Sequence, residues 1–403
     1  MIPSQKYPPP TRGKIIVWGF LASYPFGGMV WQVLHHLVGF RRLGFDVWYV
    51  EDSNNLIYDP HNWEPALSSI PNIRYLKQKM EEIGFGDRWV FRPPKWDNSL
   101  VPREVCIGAL DLPGLRRLYK DADAVFNLCG SHRVRPDHEG IRCLVLLQTD
   151  PVVPQIQVAE GKQAVIQDFD RYDFLFSYGE NLGSQDCLVP VMRYTWHPTR
   201  PPVCMDWWEC NGSPRPNNKL TTISNWQNLG RDIVWNGETY FWRKDLEFKK
   251  FVDLPSKSSL RLELALEGIK SQEAQWMRDH GWTIVPARNM GDPKAYRDYI
   301  RTSSGEFTVA KDQNIRLRSG WFSDRSVCYL AAGRPVISQD TAFGKFVPTG
   351  KGLFSFNTMD EIVEAVDAIH SDYEKQSRWA RQIADEYFRA EKVLGNILNV
   401  MGL

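Results

Sequence analysis

Short apolar runs that end in small or polar residues, each followed by a stretch of helical spacing, recur along this chain in two blocks. That alternation restricts the fold to α/β architectures with parallel sheets, because a crossover helix must return the chain before a parallel strand can pair. In the first block a buried strand is predicted over 15–18, then a loop from Gly19 to Gly28 and a helix over 29–43 stopped by Gly44. A second strand over 46–50 ends in Glu51-Asp52, completing a βαβ unit. Further strands are predicted over 124–129, 143–147 and 174–177, ending at Gly130-Ser131-His132, Gln148-Thr149-Asp150-Pro151 and Tyr178-Gly179-Glu180-Asn181. A proline- and glycine-rich break runs from His197-Pro198 to Asn217-Asn218. The second block then restarts with strands over 220–224, 260–266, 282–285, 305–309 and 335–338. Asp292-Pro293 and Thr358-x-x-Glu361 are helix-start signals within it.

The expected organisation is a first Rossmann-like domain over 1–205, a linker over 206–218, a second Rossmann-like domain over 219–370 and a C-terminal helical segment over 371–403. With 403 residues the chain can bury two separate cores. The formal net charge of +1 creates no global field to recruit nucleic acid, so no nucleic-acid partner is expected. Seven scattered cysteines without a CxxC pair argue for reduced thiols in a cytoplasm, not for a disulfide framework or structural zinc. The stretch 15–40 carries no Lys, Arg, Asp or Glu, but Pro25, Gly27 and Gly28 interrupt it, so no transmembrane segment is expected. Arg133, Arg135 and Arg142 leave open a peripheral membrane contact or an anionic acceptor, with a solvated surface as the default.

A βαβ unit with an acid after its second strand also suggests a dinucleotide oxidoreductase. The interval from Gly19 to Gly28 is too long for the GxGxxG fingerprint, so that reading is set aside. Polar groups at strand carboxyl ends are where open α/β sheets meet ligands, which makes Asp150 and His132 candidate proton-transfer groups. A loop histidine and an Asp-Pro turn are the structural alternatives.

The densest pattern is GWFSDRSVCYLAAGRPVISQDT, residues 320–341. Ser323 stands where a helix begins, Asp324, Arg325 and Ser326 fill its first turn, and Gly333 stops it. A short strand then delivers Gln339-Asp340 to its carboxyl end. A helix N-terminus offers unpaired N–H groups to a phosphate, and Lys311 and Arg318 lie just upstream.

This stretch resembles the donor half of GT-B glycosyltransferases, through Leu330-Ala331-Ala332-Gly333-Arg334-Pro335-Val336. The resemblance implies two Rossmann-like domains facing a cleft, a C-terminal helix crossing back to the first domain, and sugar transfer from a nucleotide diphosphate-sugar donor to an unidentified acceptor. It implies diphosphate contacts from Lys311, Arg318, Arg325 and the Ser323–Ser326 turn, with Lys244 as a further cation. Asp324 would reach the ribose, Gln339 and Asp340 the sugar hydroxyls, and Gly27-Gly28 would let backbone approach a ligand at the cleft. The two glutamates of many retaining members would fall at Gly320 and Cys328, and the histidine of the inverting plant-type signature at Arg318, so stereochemistry does not carry over. Asp121-Ala122-Asp123 and Asp168-Phe169-Asp170 match the short DxD of the GT-A fold, but a solvated turn suits the first better. No cofactor and no metal are therefore expected. A nucleotide-sugar epimerase of the same fold and a non-catalytic sugar- or nucleotide-binding protein stay as alternatives.

Overall fold

The computed structural model describes residues 7, 9–97, 105–210, 216–228 and 230–403. In the first unit β1 (Lys14–Trp18), β2 (Asp46–Glu51), β3 (Trp89–Phe91), β4 (Ile107–Gly108), β5 (Ala124–Leu128), β6 (Leu144–Gln148), β7 (Phe174–Ser177) and β8 (Trp196–Pro198) form one sheet. Its order is β4-β3-β2-β1-β5-β6-β7-β8, and only the β3–β4 pairing is antiparallel among the described residues. The second unit holds β9 (Lys219–Asn225), a hairpin of β10 (Ile233–Trp235) and β11 (Glu238–Tyr240), β12 (Arg261–Glu267), β13 (Thr283–Pro286), β14 (Gly305–Thr308), β15 (Val336–Gln339) and β16 (Leu353–Phe356). Its parallel sheet runs β13-β12-β9-β14-β15-β16. In both units the strand order reverses beside the first strand, the topology that opens a crevice at the carboxyl ends.

The strands are apolar because both faces are covered. Ile15, Ile16, Val17 and Trp18 are wholly buried, with Ile15 and Val17 in one core and Ile16 and Trp18 in another. Helix starts follow local chemistry. The Asp292 carboxylate accepts from the N–H groups of Lys294 and Ala295, and Thr358 and Glu361 close a reciprocal cap.

Two expectations about the chain's passage between units change. Part of the anticipated linker is packed core: Trp207 and Trp208 are buried, with ring centroids 5.7 and 5.1 Å from Trp31. Residues 211–215 of that linker lie outside the described residues. The C-terminal segment is also not one helix. Tyr373–Ile383 packs on the Asp324–Ala331 helix of the second unit, a wider helical turn over Ala384–Phe388 continues it, Arg389 at ψ 128° breaks the run, and Ala390–Met401 packs on the Gly27–Arg42 helix of the first. The outgoing and returning strands of chain meet there: Val203 N–H donates to Phe388 O at 2.8 Å and Val203 O accepts from Ala390 N–H at 2.9 Å.

Candidate active site

The two sheets turn their carboxyl ends toward one another. The loops after β6 and β7 meet those after β14 and before β15. Trp321 Nε1 donates to Thr149 O at 2.9 Å, and Asn181 N–H donates to Ser319 O at 3.1 Å. Gly320 makes this approach possible: its φ is +77°, and a Cβ there would lie 2.5 Å from Asn181 N.

A group of cations gathers beside this seam. The exit of β9, the first strand of its sheet, leads through Arg231 and the β10–β11 hairpin to Trp242 and Lys244. The Lys311 ammonium, after β14, lies 3.1 Å from the Trp242 ring centroid and donates to Asp150 Oδ1 at 2.9 Å. The Arg231 guanidinium lies 5.1 Å from the same ring, and no carboxylate among the described residues pairs with it. Lys244 is only 7% exposed, and its ammonium has no partner among the described residues. Burial, then the charges of Arg325 and Lys311, hold its pKa well below the ordinary lysine range. Burial also lowers Lys311, against the pull of Asp150. A buried ammonium that no carboxylate meets at ion-pair distance is costly, even with Glu306 and Asp150 pulling on it from further off, and at the mouth of a Rossmann-type sheet it suits an anionic ligand.

The predicted helix does begin at Asp324, with Ser323 in the capping position but making no side-chain cap bond. Its first-turn N–H groups are thus not satisfied by that hydroxyl. The Asp324 side chain lines a small cavity between the units together with Gln32, Tyr178 and Tyr296. Burial pushes its carboxyl up, and the Tyr178 hydroxyl is buried with no hydrogen-bond partner among the described residues.

Several predicted site residues are engaged elsewhere. Arg325 is buried: it pairs through Nε with Glu306 and donates to Ile223 O and Thr308 Oγ1, both at 2.9 Å. It clamps the helix to β9 and β14 and does not face an open anion site. Ser326 is fully buried behind it. Arg318 donates to Asp186 Oδ2 from Nη2 at 3.0 Å, so its charge already has a partner from the first unit. Gln339 donates to Glu247 at 2.8 Å and accepts from Ala310 N–H, while Asp340 Oδ1 accepts from Ala342 N–H at 3.0 Å.

His132 is buried away from the Asp150–Lys311 pair. Its Nε2 accepts from Asp52 N–H at 2.8 Å, its Nδ1 meets Ser131 Oγ at 2.8 Å, and its ring stacks on Trp18. Burial drops its pKa to about 3, so it serves as a packed neutral ring. Gly27 approaches protein and not ligand, since a Cβ there would lie 2.7 Å from Met290 O of the other unit. Gly28 sits next to Tyr296 at an ordinary distance. Asp150, Lys311, Lys244 and Asp324 are brought together; Arg231 and Trp242 join them unforeseen. Their signal was positional, a tryptophan and basic residues on the exit loop of the first strand of a Rossmann-type unit.

Among the described residues no group of three or more His, Cys, Asp or Glu side chains is arranged for a metal, and no helix is long and apolar enough to cross a membrane. In the DxD-like pairs, Asp123 accepts from Lys14 N–H at 2.7 Å and Asp170 pairs with Arg193.

No family model matches the sequence, and no curated protein matches it. Solved structures do match over nearly its full length. An alpha-glucosyltransferase in complex with UDP and a 13-mer DNA containing an HMU base is 10% identical with a TM-score of 0.60, covering 97% of this chain and 99% of that one. HepE of Anabaena in complex with UDP is 11% identical at a TM-score of 0.54, covering 96% and 99%. A glycosyltransferase from Rickettsia africae is 10% identical at 0.54, covering 97% and 98%. At such identity the likeness is one of fold.

Proposed function

We propose, from the GT-B fold that the chain shares with these structures, that it transfers a sugar from a nucleotide diphosphate-sugar donor to an acceptor hydroxyl. The observation that carries this reading is the buried Lys244, without an ion-pair partner among the described residues, near Lys311 and Arg231 at the exit of β9. Departure of the leaving group builds negative charge on the diphosphate, and fixed cations in a partly dry site stabilise that charge as it develops. Lys244, Lys311 and Arg231 would hold the diphosphate, next to the helix start at Ser323, whose hydroxyl makes no cap bond. Asp324 would address the ribose or a sugar hydroxyl, and Asp150 would take the acceptor's proton. UDP is the first nucleotide to test, since the solved neighbours named above include UDP complexes. The seven unpaired cysteines suit a reducing compartment such as a cytoplasm.

Incubation with UDP-, GDP- and dTDP-sugars, followed by chromatography of nucleotide and sugar, tests the proposal. Release of nucleoside diphosphate with transfer or hydrolysis supports it. Interconversion of sugars without release would indicate an epimerase, and binding without turnover a non-catalytic protein.

A further inference from the structure

The turn that carries Asp150 is strained, and its supports are all buried. Val152 is β-branched and fully buried, yet its φ is +93°, where such a side chain crowds the backbone. Its N–H donates to Gln155 Oε1 at 2.9 Å, Gln155 Nε2 donates to Gln148 Oε1 at 2.6 Å, and Ser177 Oγ donates to that same oxygen at 3.1 Å. Gln148, Gln155 and Ser177 are buried. Strain of this kind persists only where the surroundings over-determine it, and it gathers at sites with a task. Here it accompanies a specific placement: the Asp150 carboxylate reaches across the seam to Lys311.

Lys311 is the only cation of the Trp242 group that has a carboxylate partner among the described residues, for Lys244 and Arg231 have none. That partner comes from the opposite unit, and about a third of its side chain is still open to solvent, at 36% exposure. The carboxylate therefore stands where an anionic ligand oxygen would otherwise meet the ammonium.

We infer that Asp150 and the phosphate of an incoming ligand compete for Lys311, so that arrival of the anion is what releases Asp150 for proton transfer. The competition itself requires only an anion; the catalytic consequence rests on the nucleotide-sugar reading. In that reaction the freed carboxylate accepts the proton of an acceptor hydroxyl. The hydroxyl oxygen bonds to the anomeric carbon as the bond from that carbon to the diphosphate oxygen breaks, and the electron pair leaves on the diphosphate beside Lys311. Donor binding thus precedes the appearance of the base.

The test is calorimetric titration of inorganic pyrophosphate and of UDP into wild type, Asp150→Asn, Lys311→Met and the double variant. Asp150→Asn keeps the shape and removes the competing charge, so both ligands are expected to bind about 3- to 10-fold more tightly. The gain should vanish in the Lys311→Met background. Turnover of Asp150→Asn should fall by roughly 10²–10⁴ although its donor affinity rises, a split that mere loss of structure does not produce. Equal or weaker binding by Asp150→Asn, a gain that persists without Lys311, or no anion binding by any variant would each overturn the competition. Pyrophosphate binding that follows the expected pattern without nucleotide binding keeps the competition and removes the nucleotide-sugar reading.

Discussion

The Arg325 guanidinium is locked against Glu306, an ion pair in which the arginine side chain is 10% exposed and the glutamate fully buried. Because the same guanidinium also donates to Ile223 O and Thr308 Oγ1, it fastens the Asp324–Ala331 helix to two strands of its sheet.

Arg325→Ala should therefore destabilise the protein by about 3–5 kcal/mol, since it removes the ion-pair partner of the buried Glu306. The double change Arg325→Met with Glu306→Gln should recover a large part of that loss. Urea unfolding of the variants checks both; an Arg325→Ala protein with unaltered stability would remove the clamp.

Lys244 should behave in the opposite way. Burial and the charges of Arg325 and Lys311 outweigh the pull of Glu306 and Asp150 on its ammonium, so Lys244→Met relieves a desolvated cation and is expected to raise the melting temperature. The same change should weaken binding of a nucleoside diphosphate by roughly tenfold or more, the scale of a lost charge-assisted contact. Melting curves and titration with UDP measure the two effects on one sample. Loss of stability together with unchanged affinity would place Lys244 in the structure and outside the site.

Gly27 and Gly28 separate by their neighbours. A Cβ on Gly27 meets Met290 O at 2.7 Å and Tyr296 Cβ at 2.9 Å, whereas one on Gly28 stays 3.4 Å from the Tyr296 hydroxyl. Gly27→Ala should cost about 1–3 kcal/mol and loosen the contact between units, while Gly28→Ala should stay within about 1 kcal/mol of wild type. Small-angle scattering would register the loosening, and equal profiles for both variants would count against it.

Acid should weaken the fold through its buried histidines. Burial lowers His132 to about 3 and His36 to about 4, and holds His35 well below its ordinary value. The unfolded chain protonates these rings near 6.5, so from there down to about pH 4 it binds more protons than the native state. Stability is then lost as the pH falls through that window, by up to ~1.4 kcal/mol per pH unit for each ring. Unfolding free energies at pH 7, 6 and 5 should show this slope, and His132→Gln should flatten it. A flat profile in wild type would mean that these rings are not held neutral.

Transfer is expected to survive excess EDTA, because Lys244, Lys311 and Arg231 supply the positive charge for the leaving diphosphate. Abolition by EDTA with recovery on adding Mn²⁺ or Mg²⁺ would show that these side chains do not suffice.

Local pattern alone determined the two α/β units, the caps at Asp292 and Thr358, the helix beginning at Asp324 and the stop at Gly333, because strand periodicity, capping and turn chemistry act between near neighbours. Which charges stand ready for a ligand was decided only by the tertiary structure. Arg325 and Lys244 look alike in sequence, yet the first is neutralised by Glu306, 19 residues away, and the second is buried with no partner among the described residues. Arg318 is taken by Asp186 from 132 positions earlier, and Lys311 by Asp150 from 161. An ionic side chain's role depends on its burial and on the charges within a few ångströms of it, and both are set by which distant segments the fold brings together.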